Sequence, residues 1–385
     1  MEGCMKILKI RASGLPLFSS DVEVDFLALQ RVSTESAETM HRLFSNYYQN
    51  NVIAITGINA SGKTTLLKVV NFSFRLLNNE PISTIDSIEI FDGLLDQDSV
   101  SFTIFFYATD HAIHMLHTVI KKQDDRFIIV EETLHSKSIT SARSKKALFD
   151  VSSFKQEQMR NQQEAYLLDD VSIMVAFNKR QAERISIVDM LRFTNNNLLG
   201  LNAEIPHELI EFFDPSIEYL TIEKQFKDQE IRLKFKNKEE LIFHQLSELN
   251  RYLSSGTIKG ITLFLNALKI LKVGGYLLVD EIENHFNKEI VVTLIRFFMD
   301  QDCNPKGAVL LFTTHYPELL DEFSRNDTIY IARNKAGITV ENLSKILTRN
   351  DINKSDAYQS GYLEGTVPLY DAYMNLKRIV IRTLV

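Results

Sequence analysis

Gly57 to Thr64 reads GINASGKT and has the spacing G-x-x-x-x-G-K-[ST]. Glycines at its ends let successive backbone N–H groups curl around a polyphosphate, and a helix opening just after the loop adds positive potential there. Asn59, Ala60, Ser61 and Gly62 then line the loop; Lys63 reaches the β- and γ-phosphates, Thr64 offers a hydroxyl to Mg2+, and Thr65 follows it. A second set lies far downstream. YLLVDE, Tyr276 to Glu281, ends an apolar run in two carboxylates, of which Asp280 suits a water-mediated hold on the metal and Glu281 a base that polarises the attacking water. Two acids at a strand end can also simply open a helix, where they favour its dipole. The phosphate loop upstream makes the catalytic reading the stronger one. His315, in LLFTTHYPELL, stands just past another apolar run, where it could hydrogen-bond a γ-phosphate. A lone histidine is usually structural, so here the position in the strand order carries the argument.

These residues work only if particular elements bring them together. NNVIAITG is a β-branched apolar run ending in glycine, as a buried strand entering a loop should be, and SGKTTLLKVVNFSFRLL changes to helical spacing. MKILKI, VEVDFL, SIEIF, SVSFTIFFYA, AIHMLHTVI and RFIIVEETL read as strands, the later ones forming an antiparallel sheet beside a parallel one. Between residues 136 and 250 the pattern turns polar. SKSITSARSKKALFD and SSFKQEQMRNQQEAYLLDD read as partly helical, and SIEYLTIEKQFKDQEIRLKFKN alternates like a charged hairpin. The core pattern resumes with the amphipathic helix IKGITLFLNALKILK, the strand GYLLVDE, the helix NKEIVVTLIRFFMDQ and the strands GAVLLFTTH and DTIYIARN. The expected fold is therefore α/β and three-layered. It has an antiparallel β subdomain and an inserted helical/β arm, with core halves at 1–135 and 251–385 and the insert at 136–250.

Composition narrows the function classes. The 385 residues carry a net charge of −7, which argues against a generally basic nucleic-acid coat but leaves a local basic groove open. Two cysteines, Cys4 and Cys303, exclude a disulfide framework and a four-cysteine zinc site. The N-terminus lacks the apolar core of a signal peptide, and no run of 18 apolar residues occurs. The expectation is a cytoplasmic chain with no direct membrane insertion.

The phosphate loop, a Ser-Gly segment before a helix, LLVDEIEN and a downstream TTH occur in that order. Together they resemble the ABC-type P-loop ATPases, in particular the SMC, RecF and OLD-like branch. The layout is similar to the prokaryotic AAA15-type (OLD-like) ATPases, although their closing pattern is only partly reproduced by Tyr362, Gly365 and Pro368. The resemblance implies ATP and Mg2+ as ligands and a head-to-tail homodimer. In it, Leu253 to Thr257, LSSGT, takes the place of the LSGGQ signature. Ser254, Ser255 and Gly256 would then face the γ-phosphate held by Lys63 of the other copy. Ser255 stands where the family has glycine, and Thr257 where it has glutamine. Glu283 to Phe286, ENHF, lies where the family has the loop that crosses the dimer interface. Gln97 and Gln123 fall in the region of the family's further glutamine, and neither has a convincing context.

Three functions follow. The resemblance favours an ATPase that regulates a separate effector protein, a nuclease or toxin, in anti-phage defence. A RecF/SMC-like DNA-repair ATPase is the second. Arg143, Lys145, Lys146, Lys155, Arg160, Lys179, Arg180 and Arg184 give the insert a basic bias suited to phosphate backbone, although nearby acids and glutamines fit a solvated helical face as well. A nucleotide-binding scaffold with little turnover is the third.

Overall fold

The computed structural model describes residues 5–141, 144–160, 167–181, 184–192, 205–225, 228–284, 286–366 and 370–383. Cys4, Arg143, His285 and Pro368 lie outside the described residues.

The chain opens with β1 (Lys6–Ser13) and β2 (Val22–Asp25), then a short helix α1 (Thr34–Ala37) and the hairpin β3 (Met40–Phe44) and β4 (Tyr47–Asn50). β5 (Val52–Thr56), buried at all five positions, leads through the phosphate loop into α2 (Lys63–Leu77). β6 (Val100–Tyr107), β7 (Ala112–Gln123) and β8 (Arg126–Ser138) follow, then α3 (Lys145–Leu148), β9 (Lys155–Met159), α4 (Met174–Gln181) and β10 (Ile187–Met190). After α5 (His207–Phe213), the strands β11 (Ile217–Gln225), β12 (Asp228–Phe235) and β13 (Glu240–Phe243) precede α6 (Ser255–Val273), β14 (Tyr276–Val279), α7 (Lys288–Met299) and β15 (Val309–Thr314). β16 (Ile329–Asn334), β17 (Ile338–Asn342), α8 (Leu343–Ile346), α9 (Lys354–Gln359) and α10 (Tyr370–Thr383) complete it.

One sheet runs β10-β14-β15-β5-β16-β17, parallel except for β17, and an antiparallel sheet runs β2-β1-β6-β7-β8-β9. Alternation along the parallel strands assigns their faces. Val52 and Ala54 join Leu277, Leu310 and Phe312 in a core with α6 and α7, whereas Ile53 and Ile55 face the core that α2 shares with the antiparallel sheet. α2 is therefore covered on both sides, which explains why eleven of its fifteen residues are buried and why its apolar pattern runs nearly all round. Two buried tyrosines tie the layers: the Tyr276 hydroxyl accepts the Ile7 N–H at 2.7 Å, and that of Tyr330 the Asp25 N–H at 2.7 Å. The carboxyl ends of β5, β14 and β15 share one edge, the edge where open α/β sheets place their ligands.

Several local readings change. SIEIF is a 3-10 turn over Ile88–Phe91 and not a strand, because Phe91 packs its ring on Phe72 of α2, 4.9 Å between centroids. Lys155–Met159, expected to be helical, pairs as an edge strand with β8; available pairing outweighs local propensity. Within 136–250 the described residues supply β9 to the antiparallel sheet and β10 to the parallel one, while β11–β13 form a separate sheet whose Ile217, Leu220, Ile231 and Leu233 pack into the α6 core.

Candidate active site

The phosphate loop leaves β5 in a conformation only its own sequence permits. A Cβ on Gly57 would lie 2.4 Å from the Ala332 carbonyl oxygen, and one on Gly62 2.6 Å from Ile338 Cγ2. Gly62 has φ +97° and caps α2 without a side chain, so the N–H groups of the first turn are left for an anion. Ala60 also takes a left-handed φ, +58°, and its carbonyl accepts the Asn334 side-chain N–H at 3.2 Å. The Ser61 hydroxyl is buried without a hydrogen-bond partner among the described residues.

Lys63, only 5% exposed, donates to the carbonyls of Gly57 at 2.9 Å and Ile58 at 3.1 Å, and its ammonium lies 3.3 Å from His315 Nδ1. Burial holds its pKa below the ordinary lysine value, against the pull of Glu283, Asp280 and Glu281. Thr64 Oγ1 donates to the Asp280 carboxylate, at 2.9 and 3.1 Å from its two oxygens. A hydroxyl beside a carboxylate is a hard-oxygen pair that fits Mg2+, which takes one or two carboxylates and completes its shell with water and phosphate oxygens.

Glu281 turns away from β14 with φ +48°. Its Oε1 lies 3.5 Å from His315 Nε2, and its Oε2 accepts the Asn284 side-chain N–H at 2.5 Å. Thr313, one strand over, joins the two acids: its hydroxyl donates to Asp280 Oδ1 at 2.5 Å and accepts the Glu281 N–H at 2.7 Å. The resulting cavity of about 640 Å³ is lined by residues 59–65, Glu281 and His315, together with Pro16, Leu17, Asn334, Gly337 and Ile338.

The structure thus brings Lys63, Thr64, Asp280, Glu281 and His315 together with the loop Gly57–Thr65. It leaves Ser254, Ser255 and Gly256 out of that cavity. They form the start of α6, where exposed Ser254 is the N-cap: its Oγ accepts the Thr257 N–H at 2.9 Å and lies 2.8 Å from Thr257 Oγ1. Thr257 therefore uses its hydroxyl in the helix cap. Neither Gln97 nor Gln123 lines the cavity.

The sequence analysis missed Thr313 and the Asn334–Ile338 hairpin turn, and it gave Asn284 only as part of ENHF, without its bond to Glu281. Thr313 stands inside TTH and was within reach; Asn334 and Ile338 act through packing that no local pattern announces. In the basic set, Lys145 donates to the Leu29 carbonyl at 2.8 Å, Arg160 to those of Val171 and Leu168 at 2.8 and 2.7 Å, and Arg180 lies 3.6 Å from Glu157. These three cations are engaged within the chain. No described helix is long and apolar enough to cross a membrane.

No curated protein matches the chain. The model of one family, described as "AAA domain, putative AbiEii toxin, Type IV TA system", matches residues 52–321, from the start of β5 to just past His315. With a phosphate loop at the edge of a parallel sheet and the carboxylates of β14 beside it, the chain belongs to this family and is a P-loop ATPase of an abortive-infection type.

Proposed function

We propose that this chain hydrolyses ATP between two head-to-tail copies of itself, and that closure of the pair regulates a separate effector, a nuclease or toxin, in an anti-phage or toxin–antitoxin setting. Within the family, the proposed branch is OLD-like. One observation carries the reading. The cation, metal-side and base residues share a cleft, whereas Ser254–Gly256 stand at a helix start that does not line it, an arrangement that suits two sets meeting on one phosphate across two copies.

In this reading Thr64 and Asp280 hold Mg2+, which neutralises charge on the β- and γ-phosphates when bound. Lys63 exchanges its two carbonyl partners for phosphate oxygens. Glu281 accepts the proton of the attacking water, and His315 hydrogen-bonds the γ-phosphate between Lys63 and Glu281. Ser254 and the first N–H groups of α6 add donors only on closure, where charge builds on the transferred group. The β11–β13 lobe packed on α6 would move with them.

Affinity capture from the native host with Glu281→Gln and ATP tests this. The expected result is a stable dimer by light scattering that retains a nuclease or toxin. Equal turnover in wild type and Glu281→Gln removes the base role, and ATP-dependent retention of DNA alone would favour the repair reading instead.

A further inference from the structure

The turn after Glu281 is laced to the end of β15. The Ile282 N–H reaches the Thr313 carbonyl at 3.1 Å, and the Asn284 N–H that of Glu281 at 3.0 Å. This folding turns two consecutive side chains back onto Glu281 and His315, which line the cleft of their own chain. Asn284 donates to Glu281 Oε2 at 2.5 Å. Glu283, only 4% exposed, accepts the main-chain N–H of His315 on Oε1 at 2.5 Å, and its Oε2 is buried with no hydrogen-bond partner among the described residues. A buried carboxylate with one idle oxygen is costly to keep. An apolar residue would close the same turn without that cost; Glu283 adds a negative charge beside Lys63, which a glutamine would remove, and an acceptor for the His315 N–H, which a glutamine would keep.

We propose that Glu283 and Asn284 are positioning residues for hydrolysis in their own subunit. Asn284 fixes the rotamer of the Glu281 carboxylate, and Glu283 pins the backbone of His315 so that its ring stands between Lys63 and Glu281. A flexible three-rotor carboxylate and a ring on a loop otherwise sample many orientations, and a misplacement of about 1 Å costs about 10²-fold in rate. The inference rests on the ATPase reading above and assigns this turn work in cis, where the family resemblance gives it only the dimer interface.

The test uses the full chain carrying Glu283→Ala, Glu283→Gln or Asn284→Ala. Turnover and KM for ATP, affinity for a fluorescent ATP analogue, and the amide signals of 15N-labelled histidines are measured. Glu283→Ala is expected to lower kcat about 10²-fold while the affinity stays within about threefold. Glu283→Gln recovers to within about fivefold, because its amide oxygen still accepts the His315 N–H, and Asn284→Ala loses about tenfold. The His315 amide proton shifts upfield in Glu283→Ala and holds its place in Glu283→Gln. Should Glu283→Ala fail to fold, Glu283→Asp, one methylene shorter, reads the same contact. Wild-type kcat in Glu283→Ala, a glutamine variant as impaired as the alanine one, or an unmoved His315 amide each overturns the proposal. A wild-type chain without turnover would remove the ATPase reading, while the histidine amide would still decide whether Glu283 holds His315.

Discussion

The cleft around Lys63 and the start of α6 are built in opposite ways. In the cleft the reactive residues are held by one another: Thr64 and Thr313 on the Asp280 carboxylate, Asn284 on the Glu281 carboxylate, and Thr313 and Glu283 on the main-chain N–H groups of Glu281 and His315. At α6, Ser254 turns its hydroxyl to its own helix, and its neighbours Ser255 and Gly256 are half-buried with no part in the cavity. The first arrangement is preorganised, so little must move when a phosphate arrives. The second is a helix start in which Ser254 caps the Thr257 N–H, so that only the N–H groups ahead of it are left for a partner from outside. Loss of a cleft residue should therefore act on binding or chemistry directly. Loss of Ser254 mixes a structural cost with any functional one, and variants have to separate the two.

The largest effect expected is in the cleft. Lys63→Ala should lose about 10³-fold in turnover together with nucleotide affinity. Glu281→Gln should lose about 10²- to 10⁴-fold while keeping ATP, as read by phosphate release and analogue binding. If Lys63→Ala kept its affinity, the cleft would not be the phosphate site.

Ser254→Asp sharpens the comparison next. Aspartate is as good an N-cap as serine, so Tm should hold, whereas a carboxylate set against a γ-phosphate should cost about 10²-fold in turnover. Ser254→Ala, which deletes the cap, should cost about 1 kcal/mol in stability by denaturant titration. Mixing equal amounts of Lys63→Ala and Ser254→Asp chains should restore about a quarter of wild-type activity, because half the pairs then carry one intact composite site. No recovery would break the head-to-tail arrangement.

Thr313→Val probes the cleft lattice with a smaller expected effect. It leaves the Glu281 N–H without its acceptor and Asp280 without one donor, a cost of about 1–3 kcal/mol, with turnover reduced about tenfold. A variant with wild-type stability would show that the threonine bridge is dispensable.

The smallest effect lies away from both regions. His41 packs its ring on Gly307, and burial, followed by the nearby Lys6 charge, pushes its pKa down to about 4 from 6.5. The unfolded chain then binds the proton more readily between those values. This contribution to stability is full above about pH 6.5 and is lost as pH falls toward 4. His41→Gln should flatten the decline of Tm over that window and leave Tm at pH 8 to the packing change alone.

What could be read from the sequence followed from how local each requirement is. Gly57 and Gly62 are dictated by contacts that leave no room for a Cβ, and Lys63 and Thr64 sit at fixed offsets from them, so the loop reads directly. The buried β5, β14 and β15 read directly too, because an uninterrupted apolar run suits a strand covered on both faces. Ser87–Phe91 and Lys155–Met159 misled for the converse reason: one is an apolar run whose Phe91 docks on α2, the other a polar run recruited by a free strand edge. Glu283 was visible as a residue, but its use of His315, 32 positions on, depends on two adjacent strands ending in register.

The sequence by itself determined the phosphate loop, the acids after YLLV, the histidine after TTH and the alternation that makes the core α/β, since backbone sterics and hydrophobic period act over a few residues. Only the tertiary structure decided that Thr313 joins Asp280 to Glu281, that Asn334 and Ile338 line the cavity, and that Ser254–Gly256 do not. Those facts depend on which strand lies beside which, and that order is fixed by packing across the whole chain.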